Sequence, residues 1–282
     1  MNKNSKRYRF YEMIPGLFAW FVILFPIWGS FVVPKAVAYF VFAFLVYWLF
    51  QSFKAAILAL IGYRKIKSAT ATNWLSRFND DFRADWLKYR DINHVIIISS
   101  YKEPPQVIEM AFSSLAAQID IDLKKIHVVL AQEERAGADN NQATIDYFQN
   151  KYAHTFGSLT FTEHPANIPG EIAGKHTNEA WAARYFEKHF FGPKVPASRR
   201  LKIEHCTLTS CDVDTIFNPK YFSALTYYFA SSPDRYLKFW QSPIFWHHNI
   251  NSVPAPIRII GTMGNVVHIA NIQEPDGLFF NY

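Results

Sequence analysis

Two aspartates separated by one residue, Asp212 and Asp214, close the apolar run CTLTSCD (206–212), and Asn218-Pro219 follows them. Hard carboxylate oxygens at this spacing suit Mg2+ or Mn2+, which would in turn hold a diphosphate. One of the pair can instead accept from a ribose hydroxyl. A solvated turn with a helix-capping carboxylate is the plainer alternative. The segment SSYKEPP places Tyr101 and Glu103 together, an aromatic face and a carboxylate suited to a nucleobase, although a turn entering a proline-started helix explains them equally. Glu133 and Glu134 in AQEER are open to the same two readings. Lys175, in NIPGEIAGKHTNEAW (167–181), precedes a helix and can neutralise a phosphate or simply be solvated. The loop is not a Walker phosphate loop, because Pro169 replaces the required glycine and His176 the required Ser or Thr. His247-His248 lacks the i, i+4 spacing of a helical zinc pair, and neither a Gly-x-Ser-x-Gly elbow nor a Cys-x-x-Cys pair occurs.

The elements that must position these groups alternate. The apolar run at 94–100 reads as a strand buried on both faces and 126–132 as a second buried strand; 159–164 reads as a third strand and 206–212 as a fourth, again buried. Helical patterns start at Pro104-Pro105, cover 141–152 and 177–190, and run from Asn218-Pro219 to about Ala230. This alternation predicts an α/β fold with a mostly parallel sheet and helices on both faces. Ligands of such sheets sit beyond the carboxyl ends of the strands, where the aspartates fall. LKFWQSPIFW (237–246) reads as a further strand. Trp74, Phe78, Phe82 and Trp86 form a four-residue stripe, predicting a helix that lies on a membrane surface or docks on the following domain.

The amino end differs in texture. Ile14–Val33 and Ala36–Phe53 are each near the roughly 20 apolar residues that cross a bilayer, and Pro34-Lys35 separates them. The expected organisation is a basic tail (1–10), a transmembrane helical hairpin (11–62), an amphipathic interfacial or linker helix (63–93) and an α/β domain (94–282). A signal peptide and a pair of buried core helices are the rival readings of the apolar runs. Lys3, Lys6, Arg7 and Arg9 precede the first run and Arg64, Lys65 and Lys67 follow the second, which predicts a multi-pass protein of the cell (plasma) membrane with its α/β domain in the cytoplasm. The two cysteines, Cys206 and Cys211, agree with a reducing compartment. The net charge of +6 resides partly in these flanks, and no Lys/Arg stripe interleaved with aromatics predicts nucleic acid.

VIIISSYKE, GKHTNEA and LTSCDVDTIFNPKYF, in this order and separation, resemble the family-two glycosyltransferases, whose nucleotide-sugar-binding fold is called GT-A. With the apolar hairpin the chain looks most like the membrane-embedded, processive-type branch of cellulose and hyaluronan synthases. The resemblance covers roughly residues 94–245. It implies that Tyr101 and Glu103 line a nucleobase site, that Lys175 and Asn178 lie near the sugar diphosphate, and that Asp212 and Asp214 hold ribose and metal. It departs at Ala131–Glu134, where the family ends its second strand in aspartates, and at Lys102, where Asn is frequent. The family's acidic base motif and its Gln/Arg-x-x-Arg-Trp motif are not recognisable before Tyr282; Glu274 and Asp276 in QEPDGLFF do not match in spacing. The resemblance therefore implies a truncated glycosyltransferase domain with its base beyond Tyr282. The implied activity is inverting, metal-dependent transfer from a nucleotide-diphospho-sugar to a polysaccharide or lipid acceptor, with Trp240, Phe245 and Trp246 available for sugar stacking. The alternative is a catalytically inactive membrane protein that keeps the fold for nucleotide-sugar binding or assembly.

Overall fold

A computed structural model describes residues 6–245 and 250–274. Two compact units are present, one from residues 1–66 and 242–282, the other from 67–241. In the first unit, α1 (Lys6–Ile23) and α2 (Phe25–Val32) meet at a bend of 61°. Pro26 explains the break, since it cannot donate to the carbonyl one turn earlier and its ring crowds that group. α3 (Pro34–Ala71) is long and apolar enough to cross a membrane, and the bent α1–α2 pair passes the same test only when taken together. The helix that carries the expected second span runs on past residue 62. No proline interrupts the good helix formers beyond Phe53, so the helix continues. At Gly29 an added Cβ would lie 2.8 Å from both Phe25 and Val37, so glycine lets α2 fold back against α3.

In the second unit, α4 (Trp74–Asp81) follows a break at Asn73, whose side chain accepts from the Ser76 amide at 2.9 Å. Segment 63–93 is thus not one helix. Trp74 and Phe78 of the aromatic stripe are buried with Tyr227 and Phe229, which is the docked arrangement, while Phe82 is exposed.

The sheet contains β1 (Asn93–Ser99), β2 (Ile126–Glu133), β3 (Ser158–His164) and β4 (Cys206–Asp212), all parallel, in the order β3-β2-β1-β4. Between them run α5 (Pro105–Ala116), α6 (Ala138–Tyr152) and α7 (Lys175–Phe190), and α8 (Tyr221–Ser231) follows β4. Ile96, Ile98, Val128 and Leu130 bury one sheet face under α5, α6 and α8. Val95, Ile97, Val129 and Ala131 bury the other under Ala182, Phe186 and Phe190 of α7. β1 and β2 are central and buried on both faces, as their apolar runs predict. β4 is not the buried strand expected: it forms a sheet edge, and Leu208 is 62% exposed. Residues 237–245 form no strand; Pro243 lacks an N–H to donate, and Trp240 anchors the segment against Phe229. Trp246 and the His247-His248 pair lie outside the described residues, as does Asp276. α9 (Ala255–Ile272), in the first unit, carries Ile269, which packs against α3 at Gly62.

Two histidines knit the sheet. His94 bonds Thr207 Oγ1 at 2.7 Å and Thr226 Oγ1 at 2.8 Å, and Thr226 donates its own proton to Phe222 O. His94 Nε2–H is therefore the donor and Nδ1 the acceptor. His127 lies 3.2 Å from Asn93 Oδ1 and 2.9 Å from Ser158 Oγ, which fixes the same tautomer, because Asn93 already uses its amide nitrogen on Asp91 O. Burial, then the neighbouring His127, pulls His94 down to about 3; burial, then Lys125, pulls His127 down to about 4. The unfolded chain takes up these protons below about pH 6.5, whereas the fold refuses them until about 3 to 4. Stability is therefore complete above pH 6.5 and is lost on acidification through that window. Urea unfolding of the detergent-solubilised protein should show about 4 kcal/mol less stability at pH 5 than at pH 7.5, and His127→Asn should remove about half of that difference.

Candidate functional site at the sheet switch point

The chain builds β1, β2 and β3 outward in one direction, then returns across the sheet to lay β4 on the opposite side of β1. A crevice opens at such a reversal, beyond the carboxyl ends of the two strands. Ser99 and Asp212 are register partners at that point. The loop after β4 is held from below: Val213 and Phe217 are buried in the core shared with α5 and α8. Ser114 Oγ accepts from the Phe217 amide at 3.0 Å, and Gln118 donates to Asn218 O at 2.9 Å and accepts from the Phe222 amide at 3.1 Å. With Val213 turned inward, Asp212 and Asp214 on either side are exposed. The Asx turn of Asn218, accepting from the Lys220 amide, delays α8 to Tyr221.

α7 delivers Lys175 as its first residue. Gly174 donates to Thr177 Oγ1 at 3.0 Å, which starts the helix two residues earlier than its apolar pattern predicts. Lys175 Nζ bonds Asp212 Oδ1 and lies 3.8 Å from Glu179, whose carboxylate accepts from Ser99 Oγ at 3.2 Å. Burial lowers the Lys175 pKa, but the hydrogen bond and charge of Asp212, followed by Glu179, outweigh it and hold the ammonium above its usual range. Lys175 is therefore a cation at any physiological pH. Burial, then the Asp212 charge, pushes the Cys211 thiol up to about 12, so it stays protonated at neutral pH.

The other predicted residues are placed differently. Tyr101 is 40% exposed at the end of β1. Glu103 turns back on its own loop: one oxygen accepts from Ser100 Oγ at 3.0 Å, the Tyr101 amide at 2.6 Å and the Lys102 amide at 3.3 Å. It thereby holds Lys102 at φ 153°, a backbone conformation uncommon for a side-chain-bearing residue. Asn178 is buried, and its amide donates to Ala131 O at 2.8 Å, pinning α7 to the end of β2. The structure thus brings Asp212 and Lys175 into contact, leaves Asp214 open beside them, and uses Glu103 and Asn178 as local braces. Sequence reasoning missed Glu179, for which the i, i+4 spacing from Lys175 was a signal. It also missed Ser114 and Gln118, for which no pattern exists.

Two exposed carboxylates fit a Mg2+ or Mn2+ ion that keeps several waters and is completed by substrate phosphates. Among the described residues no group of three or more His, Cys, Asp or Glu side chains is placed to enclose a metal.

No protein-family model matches the chain, and comparison with curated proteins gives no match. Among solved structures, it is similar to the mannosyltransferase PcManGT from Pyrobaculum calidifontis in complex with GDP-Man and Mn2+, with 16% identity and a TM-score of 0.34. The similarity covers 64% of this chain and 45% of that one, so the chain spans less than half of the neighbour's length. A likeness of this degree carries no functional argument, and the site is judged on its own geometry. Glu103→Gln, which removes a charged acceptor of three hydrogen bonds, should cost about 1–3 kcal/mol in denaturant unfolding while leaving the circular dichroism spectrum unchanged.

Proposed function

We propose that the chain is a membrane-associated glycosyltransferase unit that binds a nucleotide-diphospho-sugar across the carboxyl ends of β1 and β4. The observation that supports this reading is the Lys175–Asp212 pair at the sheet reversal, a cation and a carboxylate side by side with Asp214 exposed next to them. Asp212 and Asp214 would hold Mg2+ or Mn2+ against the diphosphate. When bound, that ion supplies charge neutralisation at the departing phosphate oxygens. Lys175 would turn its ammonium from Asp212 to the diphosphate, where the amino end of α7 would add its own positive dipole. Ser99 and Glu179 keep the stem of Lys175 directed toward the crevice. In the transfer itself, the acceptor oxygen forms its bond to the anomeric carbon from the face opposite the diphosphate, the carbon–oxygen bond to phosphate breaks, and the acceptor proton passes to a base. The configuration inverts. The acceptor class we infer is a polysaccharide or a lipid.

For the membrane, we infer that α3 and the bent α1–α2 pair cross the bilayer, with Arg9 on one side of the apolar stretch and Arg64, Lys65 and Lys67 on the other facing the same aqueous side. By the positive-inside rule the catalytic unit would then face the cytoplasm. Cysteine labelling of single substitutions in intact cells should protect position 67 and expose position 35 to an impermeant reagent; the reverse pattern refutes the orientation.

Binding of nucleotide diphosphates to the detergent-purified protein should require Mn2+ or Mg2+ and fall at least tenfold with chelator. Asp214→Asn should abolish the metal dependence, and Lys175→Met should weaken nucleotide diphosphates far more than nucleosides. Binding indifferent to chelator and to Asp214→Asn would refute the metal assignment.

A further inference from the structure

Arg135 stands in the turn that closes β2. Its Nε, at 2.9 Å, and its Nη2 both donate to the same oxygen of Glu133, and its guanidinium carbon lies 5.2 Å from the centre of the Tyr101 ring. Glu133 is buried, so Arg135 neutralises it in place. The guanidinium itself remains partly exposed. A guanidinium offers two forks of parallel N–H groups, Nε/Nη2 and Nη1/Nη2. The first is committed to Glu133. The second takes no protein partner among the described residues.

The carboxylates of this rim are equally committed. Glu133 accepts from Arg135, Glu134 from the Ala166 amide at 2.7 Å, and Glu103 from its own loop. At the shared end of β1 and β2 the outward fork of Arg135 therefore presents a pair of donors beside Tyr101, whose ring Lys102 Nζ also approaches at 5.2 Å. β1 has Lys175–Asp212 on its other side, so an elongated ligand lying across its end meets a cationic phosphate site at one extremity and this fork at the other.

We infer that the outward fork of Arg135 reads the base of the donor nucleotide and selects a base with two adjacent acceptors, guanine or cytosine, over adenine and uracil, an inference that rests on the nucleotide-sugar reading above. Two parallel donors require two adjacent acceptors. Guanine presents O6 and N7 side by side and cytosine O2 and N3, whereas adenine sets its amino donor beside N7 and N1, and uracil sets a ring N–H between its two carbonyls.

The test is binding of GDP, CDP, UDP, ADP and inorganic pyrophosphate to the full chain in detergent with Mn2+, for wild type and for Arg135→Lys, which keeps the charge and loses the fork. Wild type should bind GDP or CDP roughly tenfold tighter than UDP or ADP, and Arg135→Lys should bring the preferred nucleotide down to their level while leaving pyrophosphate unchanged. Should Arg135→Lys fail to fold, the double variant Glu133→Gln/Arg135→Gln removes the buried charge with its partner and must show the same loss. Binding of UDP or ADP as tight as that of both GDP and CDP, or tighter, overturns the inference alone. A uniform loss for all four nucleotides and pyrophosphate in the variant also overturns it, because the fork would then be a phosphate contact. Folded protein that binds none of the nucleotides overturns the nucleotide-sugar reading as well.

Discussion

The burial of Val213 is the constraint from which the site follows. A β-branched apolar side chain between two aspartates, drawn into the core with Phe217, obliges its neighbours to face the other way. Ser114 and Gln118 then brace the backbone of the same loop from the end of α5, so the carboxylates stand on a packed base rather than on a free turn. Because β4 lies beside β1 at the point where the sheet order reverses, that base adjoins the crevice in which parallel sheets accept ligands. Core packing, loop anchoring and sheet topology converge on one pair of residues.

The polar interior serves the same end. Conventional apolar matching accounts for β1 and β2, but His94 and His127 tie β1, β2, β3, β4 and α8 through bonds that only one tautomer can satisfy. Such bonds penalise slippage by one residue, since each imidazole would lose both partners at once. The register that sets Ser99 opposite Asp212 is thus enforced from inside the sheet as well as by its ladder.

Much of this was legible before any coordinates. Continuous apolar runs announced β1 and β2, and CTLTSCD predicts β4 to the residue, because nothing in those stretches competes with a strand. The environment of β4 was not legible, since threonine and serine alternate in it as readily at an edge as in a core; only the strand order makes Leu208 an exposed residue. The Asp212–Lys175 contact joins residues 37 apart, brought together by a crossover whose length no local pattern reveals. Glu103 shows the opposite failure. Its type and position suit ligand contact, yet its own loop offers three donors within reach, and intramolecular bonds without added ordering cost win. The segment 237–245 has β-prone residues but no partner strand beside it, and pattern alone does not supply one.

The strand order also dictates when the fold can close. β1 leaves the ribosome early, but the hydroxyl that His94 needs from Thr207 lies 113 residues further along the chain. At a synthesis rate of about 5–20 residues per second, one flank of the first strand stays uncovered for on the order of ten seconds. During that interval a buried imidazole without its threonines disfavours premature sealing, so the nascent sheet waits, open on that side, for its last strand.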